Sequence, residues 1–211
     1  MTIAELAAKY EQYVIDMRRE FHENPELSHH EERTVRRIRE ELDKLGIPNI
    51  TVGHNNVIGT LEGGKPGKKI AIRADIDALP VQEQPCNLSQ PRVCQSQEDG
   101  VMHACGHDGH IAMLLGAAKI LSSHREAIHG TVLLLFERGE ENGGGIGYIL
   151  AYMDRHGIRP DTVYGTHMSA SLESGKVGVI TGGAASTAMG FDITLHGRGG
   201  HGSRPDLAVN P

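Results

Sequence analysis

The segment that most constrains the fold is an uninterrupted apolar run near the middle of the chain, Thr131–Phe136, which reads TVLLLF. A strand that is covered on both faces carries apolar side chains at successive positions, so this run predicts an inner strand of a sheet. Predicted helices precede and follow it, over residues 111–121 and 146–156. Strands that alternate with helices indicate an α/β fold with helices on both faces of the sheet.

The other segments extend this alternation of strands and helices. Near the N-terminus, apolar residues recur at three- and four-residue steps, which predicts two helices, over residues 3–21 and 29–45. Short apolar or alternating segments predict three more strands, over residues 56–61, 69–76 and 162–166. No internal repeat or low-complexity segment interrupts this order.

The sequence pattern changes near residue 186. Residues 189–196 alternate between apolar and polar side chains, which predicts a half-exposed strand, and a glycine-rich turn follows it. We therefore expect one domain over residues 1–185 and the start of a second domain over residues 186–211.

Composition excludes several classes of protein. The chain has 211 residues, of which 38% are apolar, so it is able to bury a core. Its net charge of −6 argues against a nucleic-acid binder. The longest apolar stretch, Ile111–Leu121, is too short to span a bilayer, and the N-terminus lacks the core of a signal peptide. We predict a cytoplasmic protein whose three cysteines are free or metal-bound.

The densest group of chemically active residues is the segment Met102–His110, which reads MHACGHDGH. It contains four side chains that bind metals, His103, Cys105, His107 and His110, directly before a predicted helix. Thiolate and imidazole are good ligands for zinc and other first-row metals. A histidine-rich surface loop with a buried cysteine is the alternative, and the density of ligands in one loop favours the metal site.

A pair of carboxylates follows the predicted inner strand. Adjacent side chains on a strand point to opposite faces, so Glu140 and Glu141 share a site only where the chain leaves the strand. Gly139 and the Gly143–Gly145 run allow that change of direction. Two neighbouring carboxylates suit a division of labour in which one binds a metal and the other transfers a proton. The alternative is an exposed acidic turn.

Three further positions are candidates by their place in the sheet. Asp75 and Asp77 lie two residues apart at the end of a strand, so they face the same side. The ends of sheet strands hold the sites of α/β proteins, although this pair also suits a turn before Pro80. His167 closes the strand over residues 162–166 and is able to reach the same edge. A single histidine is more often structural, and the same holds for His201 in its glycine-rich turn.

Six segments follow one another in the order of a known family. The chain resembles the amidohydrolase branch of the dinuclear aminoacylase/carboxypeptidase metallopeptidase superfamily, which includes hippurate hydrolases, N-acyl-amino-acid amidohydrolases and indole-acetyl-amino-acid hydrolases. The segments that carry the resemblance are residues 18–34, RADIDALPVQEQ (73–84), GVMHACGHDGHIAMLLGAAKIL (100–121), Glu140–Glu141, Gly165–His167 and GRGGHGSRPDLAVNP (197–211).

The resemblance implies a fold and a set of site residues. The fold is a catalytic domain with a mixed sheet and helices on both faces, followed by the start of a smaller α/β lid domain that also dimerises. The site holds two divalent metal ions, which are zinc, manganese, cobalt or nickel. The implied metal ligands are Cys105, His107, Glu141 and His167; the implied general base is Glu140; the residues that position the ligands are Asp75, Asp77 and Asp108; and the lid histidine that stabilises the oxyanion is His201.

The implied function is hydrolysis of the amide bond of small N-acyl amino acids, by a metal-activated water with Glu140 as base. A homodimer is implied for the full-length protein, with no nucleic-acid or membrane partner. One alternative is a dipeptidase or carboxypeptidase of the same superfamily. Another is a truncated, non-catalytic module, because family members continue beyond the point where this chain stops. Two segments depart from the family pattern: Glu137-Arg138-Gly139, which adds charge near the site, and residues 86–94, which contain Cys86 and Cys94.

Overall fold

A computed structural model of the chain describes residues 2–87, 89–183 and 191–211. These residues form two units, of which the first ends at Ser169 and the second is Ala170–Pro211. The predicted domain boundary, between residues 185 and 186, lies outside the described residues and stays a prediction. Among the described residues, no helix is both long enough and apolar enough to cross a bilayer.

The first unit contains all the helices and strands predicted before residue 170. Among its described residues, the four α-helices are α1 (Ile3–Glu23), α2 (Glu32–Lys44), α3 (His107–Ser123) and α4 (Ile146–Arg155). The seven strands are β1 (Asn49–Val52), β2 (Asn56–Glu62), β3 (Lys65–Asp75), β4 (Cys86–Asn87), β5 (Gln90–Pro91), β6 (His129–Glu137) and β7 (Thr162–Gly165). The strand β1 and the short hairpin of β4 and β5 were not predicted, because none of these strands carries a buried apolar run.

The main sheet is mixed, as predicted, and its strand order is β1-β2-β6-β3-β7. The pairs β1–β2 and β2–β6 are antiparallel, whereas β6, β3 and β7 run parallel to one another. Asp75 at the end of β3 pairs with Glu137 at the end of β6, and Arg73 pairs with Gly165 at the end of β7. The three parallel strands therefore finish at one edge, which is where α/β sheets collect functional side chains.

The apolar run in β6 is covered on both faces, as predicted. Val132, Leu134 and Phe136 belong to a core shared with α1, α2 and α3. Leu133 and Leu135 point the other way and belong to a second core, which includes Ile149 and Met153 of α4. Alternate residues of one strand thus bind the helices of both layers to the sheet, and the helices hold the sheet edge in place.

The second unit has little regular structure among its described residues. It contains one short 3-10 helix, Pro205–Leu207, and a single bridge between Arg198 and Val209. Residues 189 and 190 of the predicted strand lie outside the described residues. Over residues 191–196 the prediction is wrong, because these residues form no strand. An alternating pattern becomes a strand only when a neighbouring strand accepts its hydrogen bonds, and the described residues of this unit offer none.

Candidate metal centre

The loops that follow β3, β6 and β7 meet the N-terminus of α3 at the edge where the parallel strands end. Cys105, His107 and His167 each offer one ligand atom, and these three atoms lie within 4.8 Å of one another. The potential ligand atoms of His107, Glu140 and Glu141 are equally close together. The four ligands that the sequence analysis implied, and the implied base, are therefore neighbours in the structure. We call Cys105, His107, Glu141 and His167 the ligand cluster.

His107 is the first residue of α3 and is completely buried. Gly106 precedes it with φ +91°, a left-handed conformation that turns the chain sharply into the helix. The Nδ1–H of His107 donates to the carbonyl of Asp77 at 2.9 Å, so Nε2 faces the other way. His107 Nε2 lies 3.6 Å from Asp75 Oδ2 and 3.7 Å from Glu141 Oε1. Neither Nε2 nor Glu141 Oε1 has a hydrogen-bond partner among the described residues, although both atoms are buried.

The carboxylates around His107 favour a positive charge at this point. Burial lowers the pKa of His107, but the hydrogen bond to Asp77 and the charges of Asp75, Asp77 and Glu141 outweigh burial and raise it. A proton or a metal cation at His107 Nε2 would balance these negative charges equally well. An unpaired buried nitrogen that faces an unpaired buried carboxylate oxygen is therefore suited to share a cation.

Cys105 and His167 form the second half of the ligand cluster. His167 Nδ1 donates to the carbonyl of Met168 at 2.6 Å, which leaves Nε2 for Cys105 Sγ at 3.4 Å. Burial and the negative charge of Glu141 raise the pKa of the Cys105 thiol to about 11. Because the thiolate is the form that binds metals, a cation must displace this proton.

The distances within the ligand cluster match those around a divalent cation. Zinc binds sulfur at ~2.3 Å and nitrogen at ~2.0 Å, so two ligands of one tetrahedral ion lie ~3–4 Å apart. The separations of 3.4 Å between Cys105 and His167 and 3.7 Å between His107 and Glu141 fall in this range. The residues present therefore fit the metal ions that the resemblance implies.

Asp77 contacts two members of the ligand cluster, His107 and Glu141. Its carboxylate accepts hydrogen bonds from Ser28 Oγ at 2.7 Å and from the backbone N–H of Glu141 at 3.1 Å. Burial raises the pKa of Asp77, but His107, whose Nδ1 lies 3.3 Å from the carboxylate, and the hydrogen bonds from Ser28 and Glu141 lower it to about 2. Asp77 is therefore a buried anion that holds both His107 and Glu141.

Glu140 lies in a tight turn after the end of β6. Gly139 and Gly143 adopt φ +58° and +71°, so the chain leaves the strand direction as predicted. The backbone N–H of Gly143 donates to the carbonyl of Glu140 at 2.9 Å, which closes the turn. This geometry lets Glu140 and Glu141 approach one site although they are adjacent in the sequence.

The remaining predicted site residues have other surroundings. Asp108 is buried and turned towards α1, where it accepts hydrogen bonds from His22 Nδ1 at 2.7 Å and Arg18 Nε at 2.9 Å. His201 is exposed within the second unit, and its Nδ1 lies 2.9 Å from Ser203 Oγ. The roles predicted for Asp108 and His201 stay predictions.

Four further residues belong to this region; of these, the sequence indicated only His110, as one of the side chains able to bind a metal. Ser28, Arg73 and His110 contact the aspartates behind the ligand cluster, and His22 contacts Asp108. For His110 a signal was present, since it follows His107 by three residues and so shares its helix face. Arg73 precedes Asp75 by two residues on β3 and so shares its face of the strand. Ser28 and His22 come from distant segments, and no local pattern links them to the site.

In the first of the two segments that depart from the family pattern, the charged side chains have partners within the fold. Glu137 pairs with Arg73 at 2.6 Å, and Arg138 Nη2 donates to His29 Nδ1 at 2.5 Å. The charged side chains of Glu137 and Arg138 are therefore paired with Arg73 and His29. All three cysteines lie in the described residues and none forms a disulfide, as predicted; Cys86 is exposed and Cys94 is buried.

Comparison with known proteins gives consistent matches. The model of peptidase family M20/M25/M40 matches residues 71–206. Thermostable carboxypeptidase 2 of Saccharolobus solfataricus is 42% identical over 205 residues, which is 95% of this chain and 50% of that protein. N-acyl-L-amino acid amidohydrolase of Geobacillus stearothermophilus is 42% identical over 201 residues, 93% of this chain and 52% of that protein. The chain thus spans about half the length of these relatives.

A solved structure shares the fold as well. A dinuclear metal-binding peptidase of Bacillus subtilis superimposes with a TM-score of 0.70 and 38% sequence identity. The superposition covers 78% of this chain and 45% of the other. The mixed sheet and its helices are therefore a known arrangement.

Proposed function

Because the chain belongs to peptidase family M20/M25/M40, we propose that it provides the metal centre of a hydrolase that cleaves the amide bond of N-acyl amino acids. The observation that carries this proposal is the pair of unpaired buried atoms, His107 Nε2 and Glu141 Oε1, beside the Cys105–His167 pair. The relative of Geobacillus stearothermophilus, named an N-acyl-L-amino acid amidohydrolase, supports the substrate class.

The ligand cluster would hold two divalent cations, of zinc, manganese, cobalt or nickel, and its thiolate and imidazole donors suit these metals. The relative from Bacillus subtilis, described as a dinuclear metal-binding peptidase, supports the number. When bound, such cations supply Lewis acidity for the scissile carbonyl and for the attacking water.

Glu140 acts as the base and then as the acid. Its carboxylate takes a proton from the attacking water while the new C–O bond forms at the acyl carbon. It then gives this proton to the leaving nitrogen as the C–N bond breaks, so the products are a carboxylic acid and an amine. Asp75 and Asp77 hold the ligands in place. As the resemblance implies, His201 of one chain reaches the site of the partner subunit and stabilises the developing oxyanion there.

The test is turnover of N-acetyl and N-benzoyl amino acids together with the metal content of the chain. We expect Glu140→Gln to lower turnover by at least ~10²-fold, comparable to loss of an oxyanion donor, while the metal content is unchanged. Glu11→Gln, at an exposed position of α1, is the matched control and leaves turnover unchanged. Normal turnover by the Glu140 variant would show that the assigned role is wrong.

Two alternatives give different results in the same assay. The relative of Saccharolobus solfataricus is named a carboxypeptidase, and a chain of that kind prefers peptides to N-acyl amino acids. A non-catalytic module binds metal but hydrolyses neither class. We further propose that the full-length protein is a cytoplasmic homodimer that acts on small molecules, and not on nucleic acids or membranes; free cysteines are consistent with a reducing compartment.

A further inference from the structure

A row of buried charged groups lies directly behind the ligand cluster. Asp75, at the end of β3, accepts a hydrogen bond on Oδ2 from Arg73 Nη1 at 2.6 Å. Its Oδ1 lies 2.5 Å from His110 Nδ1 on α3. Arg73 also binds Glu137, at the end of β6. Asp75 and His110 are both almost completely buried, so this row connects two strand ends with the first turn of the helix.

The second nitrogen of His110 holds the loop after β7. The backbone N–H of Met168 donates to His110 Nε2 at 2.8 Å. Since Nε2 is an acceptor, the ring hydrogen lies on Nδ1 and is donated to Asp75. The potential ligand atoms of Asp75, His107 and His110 lie within 4.8 Å of one another. Because both nitrogens of His110 already have partners, it has no lone pair left for a cation.

Met168 is packed against the same turn of α3. A Cβ added to Gly106 would lie 2.9 Å from Met168 Cβ, and one added to Gly109 would lie 3.4 Å from Met168 Cγ. The carbonyl of Met168 accepts the hydrogen bond from His167 Nδ1. His110 therefore positions Met168 by accepting the hydrogen bond of its backbone N–H. Met168 in turn fixes the ring of His167 by accepting a hydrogen bond on its carbonyl.

We propose that His110 is a positioning residue that transmits the fixed geometry of Arg73 and Asp75 to the segment His167–Met168, and so holds His167 Nε2 beside Cys105 Sγ. The inference deepens the proposed function and rests on it for the identity of His167 as a ligand. The hydrogen-bond relay itself is independent of any metal, which allows it to be tested separately.

Two variants divide the functions of the imidazole. In His110→Gln, the side-chain oxygen reaches the place of Nε2 and retains an acceptor for Met168. In His110→Asn, the shorter amide retains a donor for Asp75 and loses that acceptor. In the metal-free chain, we expect hydrogen exchange of the Met168 amide to accelerate about tenfold in His110→Asn, the effect of one lost hydrogen bond, and to stay close to the wild-type rate in His110→Gln.

The second readout is the affinity for Co²⁺, added alone to the chain after treatment with a chelator. Loss of a residue that orients a ligand lowers metal affinity by about 10–100-fold, which we expect for His110→Asn and to a smaller degree for His110→Gln. Leu114→Ala, at a buried position of the same helix, is the control for a merely structural effect. It lowers the stability of the chain and leaves both readouts unchanged in the folded protein.

Equal exchange of the Met168 amide in wild type and His110→Asn would overturn the inference, as would equal losses in His110→Asn and Leu114→Ala. If the wild-type chain binds no Co²⁺ but the amide exchanges as expected, the relay stands and the proposed function fails. If Co²⁺ binds and only the exchange pattern is absent, the proposed function stands and the relay is wrong.

Discussion

Two polar groups, each built around a buried histidine, lie on either side of the first turn of α3, and they differ in how completely the atoms of that histidine are paired. In the ligand cluster, His107 Nε2 and Glu141 Oε1 have no partner among the described residues. On the other side, the His22 network consists of Arg18, His22, Glu83 and Asp108. There His22 donates from Nδ1 to Asp108 at 2.7 Å and from Nε2 to Glu83 at 2.9 Å.

The comparison separates a binding site from a structural network. Each group is centred on a buried histidine, His107 or His22, each contains a carboxylate, and His107 and Asp108 are adjacent in the sequence. Burial without a partner costs free energy, so unpaired buried atoms that stand among potential metal ligands are candidates to bind a cation. In the His22 network each carboxylate faces a cation, and the group is complete without a ligand. We expect mutations in the first group to change metal binding and mutations in the second to change stability.

The largest effect is expected for His22→Ala. Although burial lowers the pKa of His22, the hydrogen bonds to Asp108 and Glu83 raise it, so the two carboxylates enclose an imidazolium. Its removal takes away the cation that the two carboxylates share, although Arg18 stays beside Asp108 and Arg92 beside Glu83. We therefore expect a loss of about 3 kcal/mol of the free energy of unfolding, the lower end of the range for breaking a buried ion pair. Urea denaturation in the presence of a chelator measures this loss of stability, and His30→Ala, at an exposed position, is the control. A loss below 1 kcal/mol would contradict the distinction.

The next effect is expected for His107→Ala. We expect the affinity for Co²⁺ to fall by more than ~100-fold, beyond the effect of losing a residue that only orients a ligand. The free energy of unfolding of the chelated protein should fall less than in His22→Ala, by about 1–3 kcal/mol, since the main loss is the hydrogen bond to the Asp77 carbonyl. Unchanged Co²⁺ affinity would remove His107 from the ligand cluster.

A third polar group is centred on Glu41 and is also fully paired. Its contribution to the free energy of unfolding depends on pH. Glu41 of α2 accepts hydrogen bonds from Tyr13, Arg37 and Lys44. Burial raises the pKa of Glu41, but these partners lower it from 4.5 to about 2. The stabilisation is therefore present above pH 4.5 and is lost as the pH falls through 2.

We expect Glu41→Gln to lower the free energy of unfolding by about 1–2 kcal/mol at pH 7, a value reduced by the solvent around Lys44. The difference between wild type and variant should shrink between pH 4.5 and pH 2. Urea denaturation at pH 7 and at pH 3 tests this. A difference that grows on acidification would show that the assumed sign is wrong.

The smallest effect is expected where a charge pair is open to water. Asp154 and Arg159 form an ion pair in which both side chains are about 70% exposed. Because solvent screens such pairs, we expect Asp154→Asn to change the free energy of unfolding by less than ~0.5 kcal/mol. A larger change in the same denaturation experiment would mean that the loss of stability on removing a charged partner depends on the pairing itself and not on burial.

The sequence was informative where a local pattern carries the physical cause. The apolar run in β6 predicted a strand covered on both faces, because a strand of that kind has no face for polar side chains. The Gly-rich turn after β6 predicted that Glu140 and Glu141 leave the strand direction together. The hairpin of β4 and β5 was missed, since two-residue strands leave no pattern to detect.

By itself, the sequence determined the α/β class, the order of the elements and the donor-rich loop before α3, since periodicity and residue chemistry are local properties. Only the tertiary structure decided which of these donors lack partners. His107 and Asp108 are neighbours in the chain, but successive helical side chains point about 100° apart, so one faces the ligand cluster and the other faces His22. Pairing depends on distances between remote segments, and those distances are set by how the helices pack on the sheet.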